Sequence, residues 1–274
     1  MTVKLWSSLD GDLGAAGSYT PSGVPSNGDT VLCIPGNAVA PATNMDALKA
    51  VDLELWRTCA GFTPNIGSEG NALEVSANKV VHEGSGCLHY KDGDGTTDEL
   101  IIDSPNMLKA AALDGTAITM ISAVRGAVLG LGSLGAVSVL RTGLNSRITW
   151  NEGAGAIALA ICSGGIIRCS GVVTALVQGG GTWTQELEEI VTWYGASGKL
   201  VYNSPTATGT MTTAYHLSAA ILDLLGNGHP KTITNYYGEP DAVRNYNADL
   251  HTFTNEYDMT GWRRDHGFTP YFQN

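Results

Sequence analysis

Three features of this sequence have residue types and spacing suited to chemistry. The first is glycine-rich. Ala127-Val128-Leu129-Gly130-Leu131-Gly132-Ser133-Leu134-Gly135 sets a GxGxxG pattern directly after an apolar stretch, and Glu152 follows about twenty residues on. A dinucleotide site needs such glycines for close approach of a pyrophosphate, a helix N-terminus behind them, and an acid for the ribose. The helix is the weak part, because Ala136-Val137-Ser138-Val139-Leu140-Arg141-Thr142-Gly143 is rich in β-branched residues and glycine. Glycine corners between strands are the preferred assignment for 130–135, and a nucleotide-binding enzyme is kept as a minor alternative.

The second feature is Asp92, Asp94 and Asp98 in Lys91-Asp92-Gly93-Asp94-Gly95-Thr96-Thr97-Asp98-Glu99, which has the spacing of a calcium loop. Hard cations favour carboxylate oxygens gathered on a glycine-bent loop, but the distal Glu of an EF-hand is absent. We expect a solvated acidic turn and no cofactor, with calcium at these three residues as the competing reading. The third feature is paired carboxylates for glycoside cleavage, which neighbouring coils of a solenoid can bring together. Asp98, Glu99 and Asp103 form one candidate group; Glu186, Glu188 and Glu189 form another. The six histidines (His82, His89, His216, His229, His251, His266) fall singly, and no GxSxG elbow anchors a hydrolase triad. Cys33, Cys59, Cys87, Cys162 and Cys169 are odd in number with no CxxC pair, so buried thiols are expected rather than disulfides or zinc.

The elements that would position these residues are legible in composition and repeat. Glycine is 35 of 274 residues, charged residues are 15% and hydrophobic residues 43%. That combination excludes a coiled coil and opposes disorder. The net charge of −11 repels phosphate backbones, so we expect no nucleic-acid partner. No apolar run reaches the length of a bilayer span, and the start lacks the core of a signal peptide, so we expect no membrane association.

Short apolar strands follow Gly86, Gly126, Gly165 and Gly198, glycines that return at the long, regular intervals of a solenoid repeat. Between them recur second stretches such as Glu99–Ile102, Val137–Leu140 and Val172–Val177, and turns such as Asp92-Gly93-Asp94-Gly95 and Gly179-Gly180-Gly181. This pattern predicts an all-β chain forming a single-stranded parallel β-helix, with a β-sandwich or jelly roll as the alternative. The period is long for one coil and implies extra loops or four pieces per turn. We divide the chain into an N-terminal cap at 1–44, a β-helix at 45–237 and an irregular aromatic C-terminal segment at 238–274. The only helix expected is Gln185–Glu189, with Thr184 as its N-cap. Tyr246, Phe253, Tyr257, Trp262, Arg263, Arg264, Phe268, Tyr271 and Phe272 in the last segment are candidate partner-binding residues, since aromatics and Arg are enriched at interfaces.

Trp6, the entry loop Val24-Pro25-Ser26-Asn27-Gly28-Asp29-Thr30-Val31, and the coil glycines in Gly84-Ser85-Gly86, Arg125-Gly126, Gly164-Gly165 and Ser197-Gly198 carry a resemblance over residues 20–235. In these the chain resembles parallel β-helix virion proteins of tailed bacteriophages, of the head-decoration, head-fibre or tail-spike type. The resemblance implies a non-enzymatic structural protein, made in the host cytoplasm and ending in the virion. It further implies a homotrimer that decorates the head by contacting the major capsid protein or other virion proteins. The alternative it leaves open is a spike that binds or degrades host-surface glycan, with Trp150, Trp183, Trp193 and Tyr202 stacking on sugars where they are exposed, although strand aromatics are more often packed between coils.

Overall fold

The computed structural model describes residues 1–36, 39–92, 97–115, 118–132, 134–203, 209–226 and 229–259. Among these, nineteen strands run from Val3–Trp6 to Thr252–Asp258. All their pairings are parallel except one, between Val3–Trp6 and Tyr19–Thr20. The chain is a parallel β-helix: each coil lays its strands on those of the coil before. Pairing between coils from Val3–Trp6 to Thr252–Asp258 rules out the sandwich, which requires antiparallel Greek-key connections.

One column of register partners shows the winding. Cys33, Thr58, His82, Ile102, Ala123, Thr142, Cys162, Gln178, Gly195, His216, Gly238 and Asp258 stand one above another, each on the coil after the last. One coil therefore takes roughly twenty residues, at the short end of solenoid repeats. The longer period expected from sequence spans two coils, not one coil with extra loops. The glycines at Gly126, Gly165 and Gly198 share a corner column with Ser146 and Gly181, because the residues that follow them, Ala127, Arg147, Ile166, Thr182 and Lys199, are consecutive partners. The intervening members, Ser146 and Gly181, hid the shorter period.

Within a coil the alternation of a strand sets what is inside. Val137, Leu140 and Thr142 point inward, as do Ile157, Ala160 and Cys162 one coil on, and Val173, Leu176 and Gln178 after that. The same rule places the large aromatics. Trp150, Trp183, Trp193 and Tyr202 are 0–1% exposed: they are packed inside, as strand aromatics more often are, and are not sugar platforms. Each indole N–H finds an acceptor inside: Trp150 donates to the Gly155 carbonyl at 3.0 Å, Trp183 to Gln185 Oε1 at 3.1 Å and Trp193 to Gln178 Oε1 at 3.1 Å. Gln178 in turn donates to the Lys199 carbonyl at 2.8 Å. Replacing Gln178 by leucine is therefore expected to lower stability by about 1–3 kcal/mol, since it strands a buried indole N–H and a buried carbonyl. Urea denaturation of the variant beside the wild type measures this.

The expected helix at Gln185–Glu189 does not form. Thr184 and Gln185 end the strand Val173–Gln185, and the Gln185 amide is buried, donating to the carbonyls of Gly171 at 2.7 Å and Glu188 at 3.1 Å. At the N-terminal end, Val3–Trp6 already lies in the ladder as a parallel neighbour of Thr30–Cys33. There Trp6, Tyr19 and Leu13 close over the core; the Tyr19 hydroxyl donates to the Leu13 carbonyl at 2.8 Å.

Candidate functional site: an uncharged tyrosine face

None of the three chemical features of the sequence is assembled among the described residues as chemistry would require. After Gly130-Leu131-Gly132 the chain enters the strand Val137–Trp150, so no helix N-terminus stands behind the glycines. A Cβ at Gly130 would lie 2.7 Å from the Trp150 ring, and one at Gly132 would lie 2.8 Å from the Glu152 carbonyl oxygen. These glycines serve close packing between coils. Asp92 is 1% exposed and accepts from the Thr97 backbone N–H at 3.1 Å and its hydroxyl at 3.2 Å; Asp98 is exposed, and Asp94 lies outside the described residues. Carboxylates across coils meet cations rather than each other: Glu99 pairs with Lys79 at 2.8 Å, Asp103 with Arg125 at 2.9 Å and Glu186 with Arg168 at 3.4 Å. Glu188 and Glu189 are exposed.

His82 and His216 are fully buried, and each ring Nε2 lies 2.9 Å from a carbonyl oxygen, of Gly86 and Ala220 respectively. A carbonyl only accepts, so Nε2 carries the proton in both rings. Burial pushes both imidazoles down to about 4. In His216 the Nδ1 atom accepts from the Tyr236 hydroxyl at 2.8 Å. By contrast, His82 Nδ1 has no partner among the described residues, nor do the buried Trp56 Nε1 and Thr58 Oγ1 on the coil beneath. All five cysteines are free thiols; four are buried and Cys59 is half-buried.

The feature the structure does assemble is on the outside of the C-terminal coils. Outward positions of successive rungs read Ala158, Leu159, Ile161; Thr174, Ala175, Val177; Val191, Thr192, Tyr194; Thr212, Thr213, Tyr215; Thr234, Asn235, Tyr237; and Thr254, Asn255, Tyr257. No charge occurs at any of these positions, on a chain whose net charge is −11. Tyr194, Tyr215, Tyr237 and Tyr257 form a ladder with ring centroids 4.8, 4.9 and 4.7 Å apart and ring planes within 3–14° of parallel. That spacing is the strand-to-strand distance of a sheet, so the backbone register dictates the stack. Burial, together with the neighbouring phenols, raises the pKa of Tyr215.

Ring faces inside the ladder are covered by other rings. What the face offers a partner is ring edges, a row of phenol hydroxyls, and parallel rows of Thr and Asn. Asn255 donates to Asn235 Oδ1 at 3.0 Å, so the amides form a row as well. Among the described residues only the terminal ring, Tyr257, which is 48% exposed, keeps a free face.

Of the candidate partner-binding residues, Tyr246, Phe253 and Tyr257 are described, and the structure brings them to one end. Arg244 lies over the rings of Tyr236, Phe253 and Tyr246, 4.7, 5.0 and 5.5 Å from their centroids, and pairs with Glu256 at 2.6 Å. Phe253 packs edge-on against Tyr246 and Tyr236. Trp262, Arg263, Arg264, Phe268, Tyr271 and Phe272 lie outside the described residues. Sequence reasoning missed Tyr194, Tyr215, Tyr237 and Arg244. The tyrosines recur once per coil, a signal visible only when the coil length is known.

Comparison with family models, with curated proteins and with solved structures returns no match. The fold and the outward face therefore carry the functional reading on their own.

Proposed function

We propose that the chain is a structural component of a tailed-bacteriophage virion, decorating the head as a homotrimer. In this reading the solenoid is a stiff spacer, and its contacts to neighbouring copies run through the uncharged tyrosine face. The observation that carries it is that face. A protein at −11 repels its own copies wherever acidic surfaces meet, and a neutral, aromatic, rigid sheet surface offers contact without that repulsion. Parallel sheets also tend to be covered on both sides, and here the outer side lacks a cover among the described residues. The glycan-spike reading has weaker support, since its four proposed platforms are internal and, among the described residues, the ladder hides all but one of its ring faces.

Mass spectrometry of purified particles tests the location: hundreds of copies support decoration, and absence from the particle overturns it. Light scattering tests the assembly. The wild-type chain should run as a trimer, and the double variant Tyr215→Asp, Tyr237→Asp should run as a monomer with an unchanged circular dichroism spectrum. A wild-type monomer would remove the trimer from the reading.

A further inference from the structure

Charge is distributed unevenly along the solenoid. Residues 1–104 carry 5 basic and 14 acidic side chains, and residues 171–274 carry 5 and 10. Residues 105–170 carry Lys109, Arg125, Arg141, Arg147 and Arg168 against Asp114 and Glu152 alone. The first, last and middle sections stand at −9, −5 and +3 within a chain of −11.

The cations of the middle section border one corner, and that corner is apolar. Three successive coils turn there with exposed aliphatic side chains: Leu108 is 90% exposed, Val124 49% and Leu144 79%. The coils touch at this point. The Asn106 carbonyl accepts the Ala127 N–H at 2.9 Å, Asn145 is the register partner of Arg125, and a Cβ on Gly143 would lie 2.4 Å from the Val124 carbonyl oxygen. Each aliphatic has a cation close to it in sequence: Lys109 after Leu108, Arg125 after Val124, and Arg141 and Arg147 on either side of Leu144. Next to the corner lies a cavity of about 140 Å³, lined by Leu108, Lys109, Ala127 to Leu129, Arg147 and Thr149. Arg125 and Arg168 are neutralised by Asp103 and Glu186, whereas Lys109, Arg141 and Arg147 have no ion-pair partner among the described residues.

We propose that this corner docks an acidic segment of another protein, which places an aliphatic side chain in the cavity between Lys109 and Arg147. The three unpaired cations demand carboxylates from outside, and the apolar floor demands a side chain that gains by leaving water. A second copy of this chain fits poorly. Copies aligned side by side present the same positive section at the same height. Staggering them to reach the −9 section makes a head-to-tail contact that does not close. An anionic membrane fits poorly too, because a plane wide enough to meet the corner also meets the acidic sections on either side. Membership of a virion does not enter, so the docking site stands or falls separately from the trimer.

The test uses the full chain and a fluorescein-labelled peptide of Glu-Glu-Leu-Gly repeats, read by fluorescence anisotropy, with Gln-Gln-Leu-Gly repeats as the neutral control. Binding of the acidic peptide is expected at about 50 mM salt, weakening severalfold at about 300 mM. The variants Arg147→Glu and Lys109→Glu should each weaken it about tenfold, as reversal of a contacting charge does. Leu144→Ser should weaken it severalfold. All three changes are at the surface and should leave the circular dichroism spectrum unaltered. Equal binding of the neutral peptide, or indifference to Arg147→Glu, overturns the proposal. So does preferential binding to phosphatidylglycerol vesicles, or a self-association that Leu144→Ser abolishes.

Discussion

Replacing Gly165 by valine is expected to destabilise the protein by at least about 3 kcal/mol, and to do so without altering any residue of the hydrophobic core. Gly165 has φ = +84°, in the left-handed region that a β-branched residue scarcely enters. Its missing Cβ is also a steric necessity. A Cβ there would stand 2.5 Å from the Ser146 carbonyl oxygen, 2.6 Å from the Ser146 hydroxyl and 2.9 Å from the Gly143 carbonyl oxygen. Two of these three atoms are backbone of the coil beneath, held in the ladder, so the clash cannot be relieved by a rotamer change. Strain of roughly 1–3 kcal/mol from the dihedral adds to the overlap. Urea denaturation followed by far-ultraviolet circular dichroism measures the loss. A variant within about 0.5 kcal/mol of the wild type, the range of ordinary surface changes, would mean that the corner column is not packed as described. Gly36 is a control: its φ is +89° but nothing lies within 4 Å of its Cβ position. Gly36→Ala should therefore show dihedral strain without overlap, and a smaller loss.

The second large effect is acid destabilisation well above the pH at which carboxylates titrate. His82 and His216 sit at about 4 in the folded chain against 6.5 for a free histidine, because burial disfavours the charged ring. The folded state therefore binds fewer protons than the unfolded state between these values. Stability rises with pH across that interval, is fully present above about 6.5, and is lost progressively as the pH falls towards 4. A shift of this size corresponds to up to about 3 kcal/mol per ring. Glu83 beside His82 and Glu239 beside His216 favour the charged ring, and Arg244 opposes it at His216, but desolvation outweighs the two carboxylates. Thermal melts from about pH 7.5 to about pH 4.5 should show a falling midpoint in the wild type and a shallower fall in His216→Gln, even though that variant starts lower. Parallel curves for the two proteins would contradict the assignment. Asp29 and Asp223, whose carboxyls are held below the usual range by hydrogen bonds from Ser26 and Lys199 among others, would lose their contribution only at lower pH.

The architecture is open to reading from the chain alone because a parallel β-helix writes itself into sequence locally. Inward Val, Ile, Leu and Cys recur at the spacing of strands, and glycines stand where the backbone must turn with positive φ, as at Gly126, Gly165 and Gly198. The coil length is misread by a factor of two for a physical reason. A corner position tolerates more than glycine when its φ is ordinary, and Ser146 occupies one such place between Gly126 and Gly165. The sugar-platform alternative for the tryptophans fails because an indole, though both large and polar, packs whole inside the coils here. Trp193 finds its acceptor in Gln178, an inward residue of the neighbouring strand that is invisible as a partner until the coils are stacked, whereas the acceptor of Trp183 is Gln185, two residues on in the same strand. Gln185 also removes the expected helix, since an inward amide bonded to two carbonyls fixes that segment as the end of a strand. The tyrosine face is hidden by the same error of period: with one ring per coil its members look scattered along a line, and become neighbours only on the spiral.

Because each coil of the ladder rests on the one below and the one above, its integrity is one-dimensional. The strand Thr252–Asp258 has a described neighbour on one side only, Lys231–Gly238, and six of its seven residues are exposed. Among the described residues, fraying therefore has a natural starting point there and a direction of travel, rung by rung towards the middle. The Tyr257 ring is the first of the stack to be lost in that retreat, and whatever grips that end holds the whole spiral wound.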